Sequence, residues 1–213
     1  MIFKIKAFIL DRLVAVLVSH SDFMESRWFL KAMKIFPEII SSTYDDSIAK
    51  DRSSYQDVIE VGLLQIQEKP GRILDLCTGT GVATLIANQV FPNTPIVSID
   101  QSEGMLKMAR SKIERLGFSN IEFKLGNVRR LPESDGSYDL VISSNAPIYL
   151  SEIKRVLAPA GKCLITFSFG GHSFCKIKDE VSKYLNKFGL SLVDLDVVGQ
   201  GVFIISERIR PCS

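Results

Sequence analysis

Ile73-Leu74-Asp75-Leu76-Cys77-Thr78-Gly79-Thr80-Gly81 decides the fold. Residues 73–76 favour a strand, and a helix is expected over 82–91, stopped by Pro92. The stretch is therefore a strand handing over to a helix through a bend that carries glycines. Glycine lets the backbone turn tightly and lie close to a ligand, and the start of a helix offers unpaired N–H groups to it. Nineteen residues after Gly81, at the end of a second β-favouring run over 96–99, stands Asp100. A carboxylate at that distance within a βαβ unit is placed to accept hydrogen bonds from the two hydroxyls of a ribose. The competing reading of the bend is a purely structural turn.

Downstream, short β-rich runs alternate with helical periods, the pattern of βαβ units and a parallel sheet. Met105, Ala109, Ile113 and Leu116 recur at helical spacing with Gly117 as the terminal cap, and residues 121–125 and 138–143 read as the third and fourth strands. Residues 151–157 read as a helix ended before Pro159 and Gly161, and residues 162–168 as the fifth strand. Phe174, Ile177, Val181, Leu185 and Phe188 mark one helix face closed by Gly189. Residues 191–198 and 202–206 are then joined across Gly199-Gln200-Gly201, too closely for a crossover helix, so they form a hairpin whose last strand is antiparallel. The expected fold is α/β: a seven-stranded, mostly parallel sheet of Rossmann type with that antiparallel hairpin and helices on both faces.

Upstream the content is helical. Phe23, Trp28, Phe29, Ala32, Met33 and Phe36 suggest an amphipathic helix after Ser21; a looser stretch, 41–54, leads to a helix over about 55–69. Residues 1–69 are expected to form a helical lid over the substrate, although simple packing on the sheet explains their apolar residues as well, and residues 70–213 the core. Lys4 and Lys6 precede an apolar run, but Asp11-Arg12 splits it and the unbroken stretch 13–18 is too short to span a bilayer. Residues 2–19 read as a helix lying on the protein or touching a membrane surface.

The chain has 213 residues, with 26 Lys and Arg against 24 Asp and Glu, so a polyanionic partner such as DNA or tRNA is not expected. Cys77, Cys163, Cys175 and Cys212 form no C-x-x-C, so neither a zinc cage nor a disulfide framework is expected, no metal is called for, and a reducing, cytoplasmic setting fits.

Which adenosine-containing cofactor the bend would take is a question of charge. A dinucleotide fingerprint would have a third glycine where Thr84 stands. Asp75, just before the bend, would repel a pyrophosphate and attract the sulfonium and ammonium of S-adenosylmethionine (SAM). The run Asp75 to Gly81 resembles motif I of class I SAM-dependent methyltransferases, Asp100-Gln101-Ser102 with Met105-Leu106 resembles their ribose motif, and Gly126-Asn127-Val128 their adenine loop. Tyr138-Asp139-Leu140-Val141 and Arg155-Val156-Leu157-Ala158-Pro159-Ala160-Gly161 are similar to the fourth-strand motif and the turn that follows the next helix. The similarity runs from about residue 70 to the C-terminus and is nearest in pattern to the ubiquinone and menaquinone C-methyltransferase type. Tyr44-Asp45 resembles the aromatic-acidic pair of that type's lid. Cys77 stands where the family has its first glycine, Asn127 where an aspartate commonly reads the adenine amino group, and the segment 145–150 is shorter than in relatives.

The resemblance implies methyl transfer to a small, apolar or aromatic acceptor, on carbon or oxygen, by in-line displacement. Such a reaction gains mainly from alignment of the reactants in a dry pocket, so the candidate residues are binding residues. They are Asp75, Cys77, Gly79 and Gly81 around the methionyl part, Asp100 and Gln101 at the ribose, Met105, Asn127 and Val128 at the adenine, Ser144 past the fourth strand, and Tyr44 in the lid. Met105 as plain helix core is an equal alternative. His172, after Gly170-Gly171, is the candidate general base, against the plainer reading of a loop histidine. Three rivals stay open: an NAD(P)-dependent oxidoreductase, a methyltransferase-like scaffold without catalysis, and an RNA or protein methyltransferase.

Overall fold

The computed structural model describes residues 52–168 and 171–210. The order of its elements is α1 (Arg52–Leu64), β1 (Ile73–Leu76), α2 (Val82–Val90), β2 (Ile96–Asp100), α3 (Glu103–Arg115), β3 (Ile121–Leu125), β4 (Tyr138–Ser144), α4 (Leu150–Val156), β5 (Leu157–Phe167), α5 (Gly171–Lys176), α6 (Lys178–Lys187), β6 (Leu190–Val198) and β7 (Gly201–Arg208). Every residue of β1 and β2 is buried, the mark of strands covered on both faces. The seven strands lie in the order β3-β2-β1-β4-β5-β7-β6. Strands β1 to β5 are parallel, and β7 runs antiparallel to both β5 and β6. The expected α/β sheet with its antiparallel hairpin is the observed one.

Strand parity divides the core into two layers. Leu74, Leu76, Val97 and Val141 face Ile153 of α4, Phe174 of α5 and Val181 and Leu185 of α6. Ile73, Leu140, Ile142 and Leu164 face Val58, Ile59 and Leu63 of α1 and Val82 and Ile86 of α2. Burial of a side chain such as Ile59 or Leu63 contributes about 2 kcal/mol. Helix α1 comes close because Gly62 faces the sheet: a Cβ there would lie 2.7 Å from Leu164 Cδ1 and 3.1 Å from Phe203 Cβ.

Three boundaries differ from those expected. Helix α1 stops at Leu64 rather than about Lys69, because the chain must turn through Pro70 and Gly71 to enter β1, and Lys69 Nζ instead donates to the Pro92 carbonyl at 2.9 Å. Strand β5 begins at Leu157, directly at the end of α4, rather than at Lys162, with Ala160 in the left-handed region at φ 63° and an irregular register opposite Tyr138. The apolar face from Phe174 to Phe188 is carried by two helices, because Ile177 leaves helical geometry (φ −115°, ψ 27°) and Asp179 and Glu180 favour a fresh helix start beyond it.

Strand order reverses between β1 and β4, and in such sheets the crevice at the carboxyl ends of those neighbours is where ligands bind. The loop from β3 to β4 is pinned beside it by Arg155, which donates to Asp135 Oδ1 (2.7 Å), Glu152 Oε1 (2.9 Å) and the carbonyls of Glu133 (2.8 Å) and Leu131 (3.2 Å). No helix among the described residues is long and apolar enough to cross a membrane. The amphipathic stretch from Phe23 to Phe36, Tyr44 and the segment 2–19 lie outside the described residues.

Candidate active site

The bend after β1 is held by its own backbone. Cys77, Gly79 and Gly81 all adopt positive φ, at 53°, 55° and 80°. A Cβ on Gly81 would sit 3.1 Å from Ala109 Cβ, so a glycine there lets α3 close on the bend. Thr78 N–H donates to the Ile99 carbonyl (3.1 Å) and Gly81 N–H to the Thr78 carbonyl (2.9 Å). The left-handed geometry of Cys77 explains why the resembling family has glycine there, and it costs a side-chain-bearing residue about 1 kcal/mol or more. Burial first, and then Asp100 and Asp75, pushes the Cys77 thiol up to about 12, so it is a protonated thiol rather than a nucleophile.

Asp75 does not lie open at the bend as the charge argument expected. Its residue is 1% exposed, and Oδ2 accepts from Thr78 Oγ1 and Thr84 Oγ1, each at 2.6 Å, with Ser98 Oγ a further 2.6 Å from Thr84 Oγ1. Parity is the reason: Leu74 and Leu76 take the α4–α6 face, so Asp75 and its register partner Ser98 point to the face of α2, where Thr84 stands in the first turn. Desolvation raises the Asp75 carboxyl to about 6, against the lowering effect of the Thr78 and Thr84 hydroxyls. Its charge is felt through the bend, and its direct work is to brace it. Thr78, Thr84 and Ser98 are functional neighbours that sequence reasoning missed; Thr84 was read only as a missing glycine. The available signal was an acidic residue at a buried strand position with hydroxyls nearby.

Asp100 ends β2 at 7% exposure. Its Oδ2 accepts from Gly79 N–H at 2.8 Å and its Oδ1 from Ser102 N–H at 2.9 Å. Each oxygen keeps acceptor capacity beyond these bonds, as a pair of ribose hydroxyls requires. Ser102 caps α3 by accepting from Met105 N–H at 3.3 Å, and the Asp100 carbonyl accepts from Gly126 N–H at 2.9 Å, which draws the β3 loop to the same place. Met105 is buried at 4% exposure, whereas Gln101 is exposed. Asn127 is exposed, and its Oδ1 accepts from Arg129 N–H at 3.0 Å, so the oxygen expected to read an adenine amino group also closes a local turn. Val128 packs on the core beside it.

The other wall of the crevice is the end of β4. Ser144 Oγ accepts from Thr166 Oγ1 at 2.9 Å. Asn145 follows at φ 48°, its N–H donating to the Thr166 carbonyl at 2.9 Å. His172 lies in α5, and its side chain is outside the described residues. Among the described residues no cluster of His, Cys, Asp and Glu could hold a metal ion.

A family model described as a methyltransferase domain matches residues 67–190, which include the whole crevice. The chain belongs to the methyltransferase domain family. Among its curated relatives, the demethylmenaquinone methyltransferase of Lactococcus lactis is 42% identical over 98 residues, 42% of this chain and 39% of that protein. The demethylmenaquinone methyltransferase of Listeria welshimeri is 33% identical over 142 residues, 62% of this chain and 60% of that protein. This methyltransferase-domain chain thus spans about half the length of the curated relatives it matches. In fold it is similar to a SAM-dependent methyltransferase from Aquifex aeolicus, with a TM-score of 0.62 and 19% identity, the match covering 81% of this chain and 98% of the other.

The methyl donor of this family, SAM, fits the crevice. The amides of Thr78, Gly79 and Gly81 are all consumed within the protein, so the bend is not built to cradle a pyrophosphate with them. Each Asp100 oxygen accepts one backbone N–H and keeps further acceptor capacity.

Proposed function

We propose that this chain is a SAM-dependent methyltransferase acting on a small, apolar aromatic molecule, of the quinol kind named for its relatives, and that it methylates carbon or oxygen by in-line displacement. The observation that carries the reading is the pairing at the bend: glycine-turn amides already bonded internally, beside an Asp100 carboxylate with acceptor capacity to spare. A dinucleotide needs the reverse arrangement, free amides facing its phosphates.

SAM when bound supplies a methyl group on positively charged sulfur, which the acceptor's nucleophilic carbon or oxygen takes in a single displacement. The protein's share is to hold and to exclude. Asp100 would take the ribose hydroxyls, Met105 and Val128 would line the adenine, and Gly79 and Gly81 would let the methionyl part lie against the backbone. Asp75, braced by Thr78 and Thr84, keeps the bend stiff and adds negative potential behind the positive sulfur. Fixing both reactants in this way supplies about 7–11 kcal/mol of the barrier, without an obligatory base. Tyr44 over the cofactor, His172 as a base for a hydroxyl acceptor, a cytoplasmic location and a membrane contact through residues 2–19 belong to this reading and rest on the sequence alone.

The test is methyl transfer from radiolabelled SAM to a 2-alkyl-1,4-naphthohydroquinone. Label in the extracted product supports the proposal; no label in this or a panel of other small phenols and quinols, with the cofactor bound, favours a domain that binds without catalysing.

A further inference from the structure

The end of the sheet away from the crevice carries a second concavity. Asp135 and Gly136 lie just before β4, Gly189 lies just before β6, and Arg208 ends β7, which runs the opposite way. All of them therefore sit at the amino ends of the parallel strands. Between them is a cavity of about 490 Å³, lined among others by Lys154 and Arg155 of α4, Lys187 of α6, Phe188, Arg208 and Asp135. That size is usual for a small-molecule site.

The charges around it do not balance. Arg155 is spent: its Nε and Nη2 donate to Glu152 at 2.9 Å each, and its Nη1 to Asp135 Oδ1 at 2.7 Å, which uses the acidic side chain of the lining. Arg208 donates from Nη1 to the Leu157 carbonyl. Among the described residues, Lys154, Lys187 and Arg208 have no acidic side chain within ion-pair distance. Cations in the last turns of α4 and α6 offset the negative ends of those helices, which accounts in part for Lys154 and Lys187. It does not account for Arg208, which reaches the same cavity from a strand. Nor does it account for three uncompensated charges around one concavity in a chain whose net charge is only +2. A concave wall concentrates such a field and draws an anion into it.

We propose that this cavity binds a soluble, phosphorylated small molecule, its phosphate held by Lys154, Lys187 and Arg208 and its organic part laid against Phe188. A phosphate is a dianion with three oxygens that accept strong, charge-assisted hydrogen bonds, which suits a trio of cations. The cavity is much larger than a phosphate alone. Phe188, half-buried with its ring edge-on to Tyr184 at 5.3 Å between centroids, adds an apolar wall for the remainder of the ligand. No residue of the crevice takes part, so the inference stands apart from the methyltransferase reading.

The test is calorimetric titration of the full chain at low salt with phenyl phosphate and, separately, with inorganic phosphate. Wild type is expected to bind phenyl phosphate saturably and more tightly than inorganic phosphate. Joint substitution Lys154→Gln and Lys187→Gln is expected to weaken phenyl phosphate binding about tenfold or more. Lys187→Gln alone, on an exposed residue, serves if the double variant does not fold. Lys107→Gln with Lys178→Gln removes the same charge from exposed positions elsewhere and is expected to leave affinity within about twofold. No saturable binding by wild type, equal affinity for inorganic phosphate, or an equal loss in the two double variants overturns the proposal. So does a protein that ignores phenyl phosphate yet sediments with phosphatidylcholine vesicles containing phosphatidic acid and not with phosphatidylcholine alone, since that face would then meet a membrane.

Discussion

The two walls of the crevice are built on opposite terms. At the ends of β1 and β2 each polar group meets another from the chain: Asp75 meets Thr78 and Thr84, Thr84 meets Ser98, and Asp100 meets the amides of Gly79 and Ser102. At the end of β4, Ser143 and Asn145 keep buried polar atoms with no partner among the described residues. A satisfied network holds one shape before any ligand arrives, whereas an unsatisfied donor is stabilised only when a ligand supplies its acceptor. The difference separates a wall already closed on itself, at the ends of β1 and β2, from one at the end of β4 that keeps buried bonding capacity unmet among the described residues.

The comparison breaks most visibly at Asp100. Asp100→Ala removes the tie between bend and β2 together with the ribose acceptors, and adenosylhomocysteine affinity measured by calorimetry is expected to fall about 100-fold. An affinity unchanged by that substitution would mean that the cofactor wall has been placed on the wrong strands.

Asp75 sharpens the comparison through pH. Its carboxyl is raised by burial from 3.8 in the unfolded chain to about 6 in the fold, so on raising the pH the unfolded state releases this proton first. The folded state's advantage is complete below the unfolded value and is lost as the pH rises through about 6. Relative to Asp75→Asn, which cannot titrate, wild type is expected to lose about 2 kcal/mol of unfolding free energy between pH 4.5 and pH 7 in urea titrations. A parallel dependence in the two proteins would show that Asp75 is solvated rather than walled in by threonines.

The smallest effect is expected at Cys77. Cys77→Gly relieves left-handed strain but adds freedom to the unfolded chain, and the net gain in stability is expected to be about 0.5 kcal/mol. A loss of stability on urea unfolding would mean that the partly buried thiol contributes more than its backbone costs.

The sheet was legible because its signals are local. Short apolar runs separated by Gly117, Pro92 or the Gly199-Gln200-Gly201 turn allow few other arrangements, and Asp100 is placed by its distance from Gly81 together with its position at the end of the second β-favouring run. The start of β5 was not legible, since Pro159 and Gly161 look like a turn from the sequence and are accommodated in a strand by an irregular register against β4. Nor was the break at Ile177, because an apolar face continues across it from one helix to the next. In the site, the residue types were readable but their directions were not. That Asp75 faces α2 follows from the parity of β1, and it needs the sheet order to show that Thr84 and Ser98 wait there. Asn145 is visible in the sequence as part of a shortened segment and of a broken N-P-P-Y-like run; its unpaired donor depends on Ser168, 23 residues away at the neighbouring strand's end.

Calorimetry of the full chain against adenosylhomocysteine and against NAD(P) tests the central claim, that the bend serves a ribose and a positive sulfur and not a pyrophosphate. Saturable binding of adenosylhomocysteine with no heat from NAD(P) is the expected result; tight uptake of the dinucleotide and indifference to adenosylhomocysteine would contradict it.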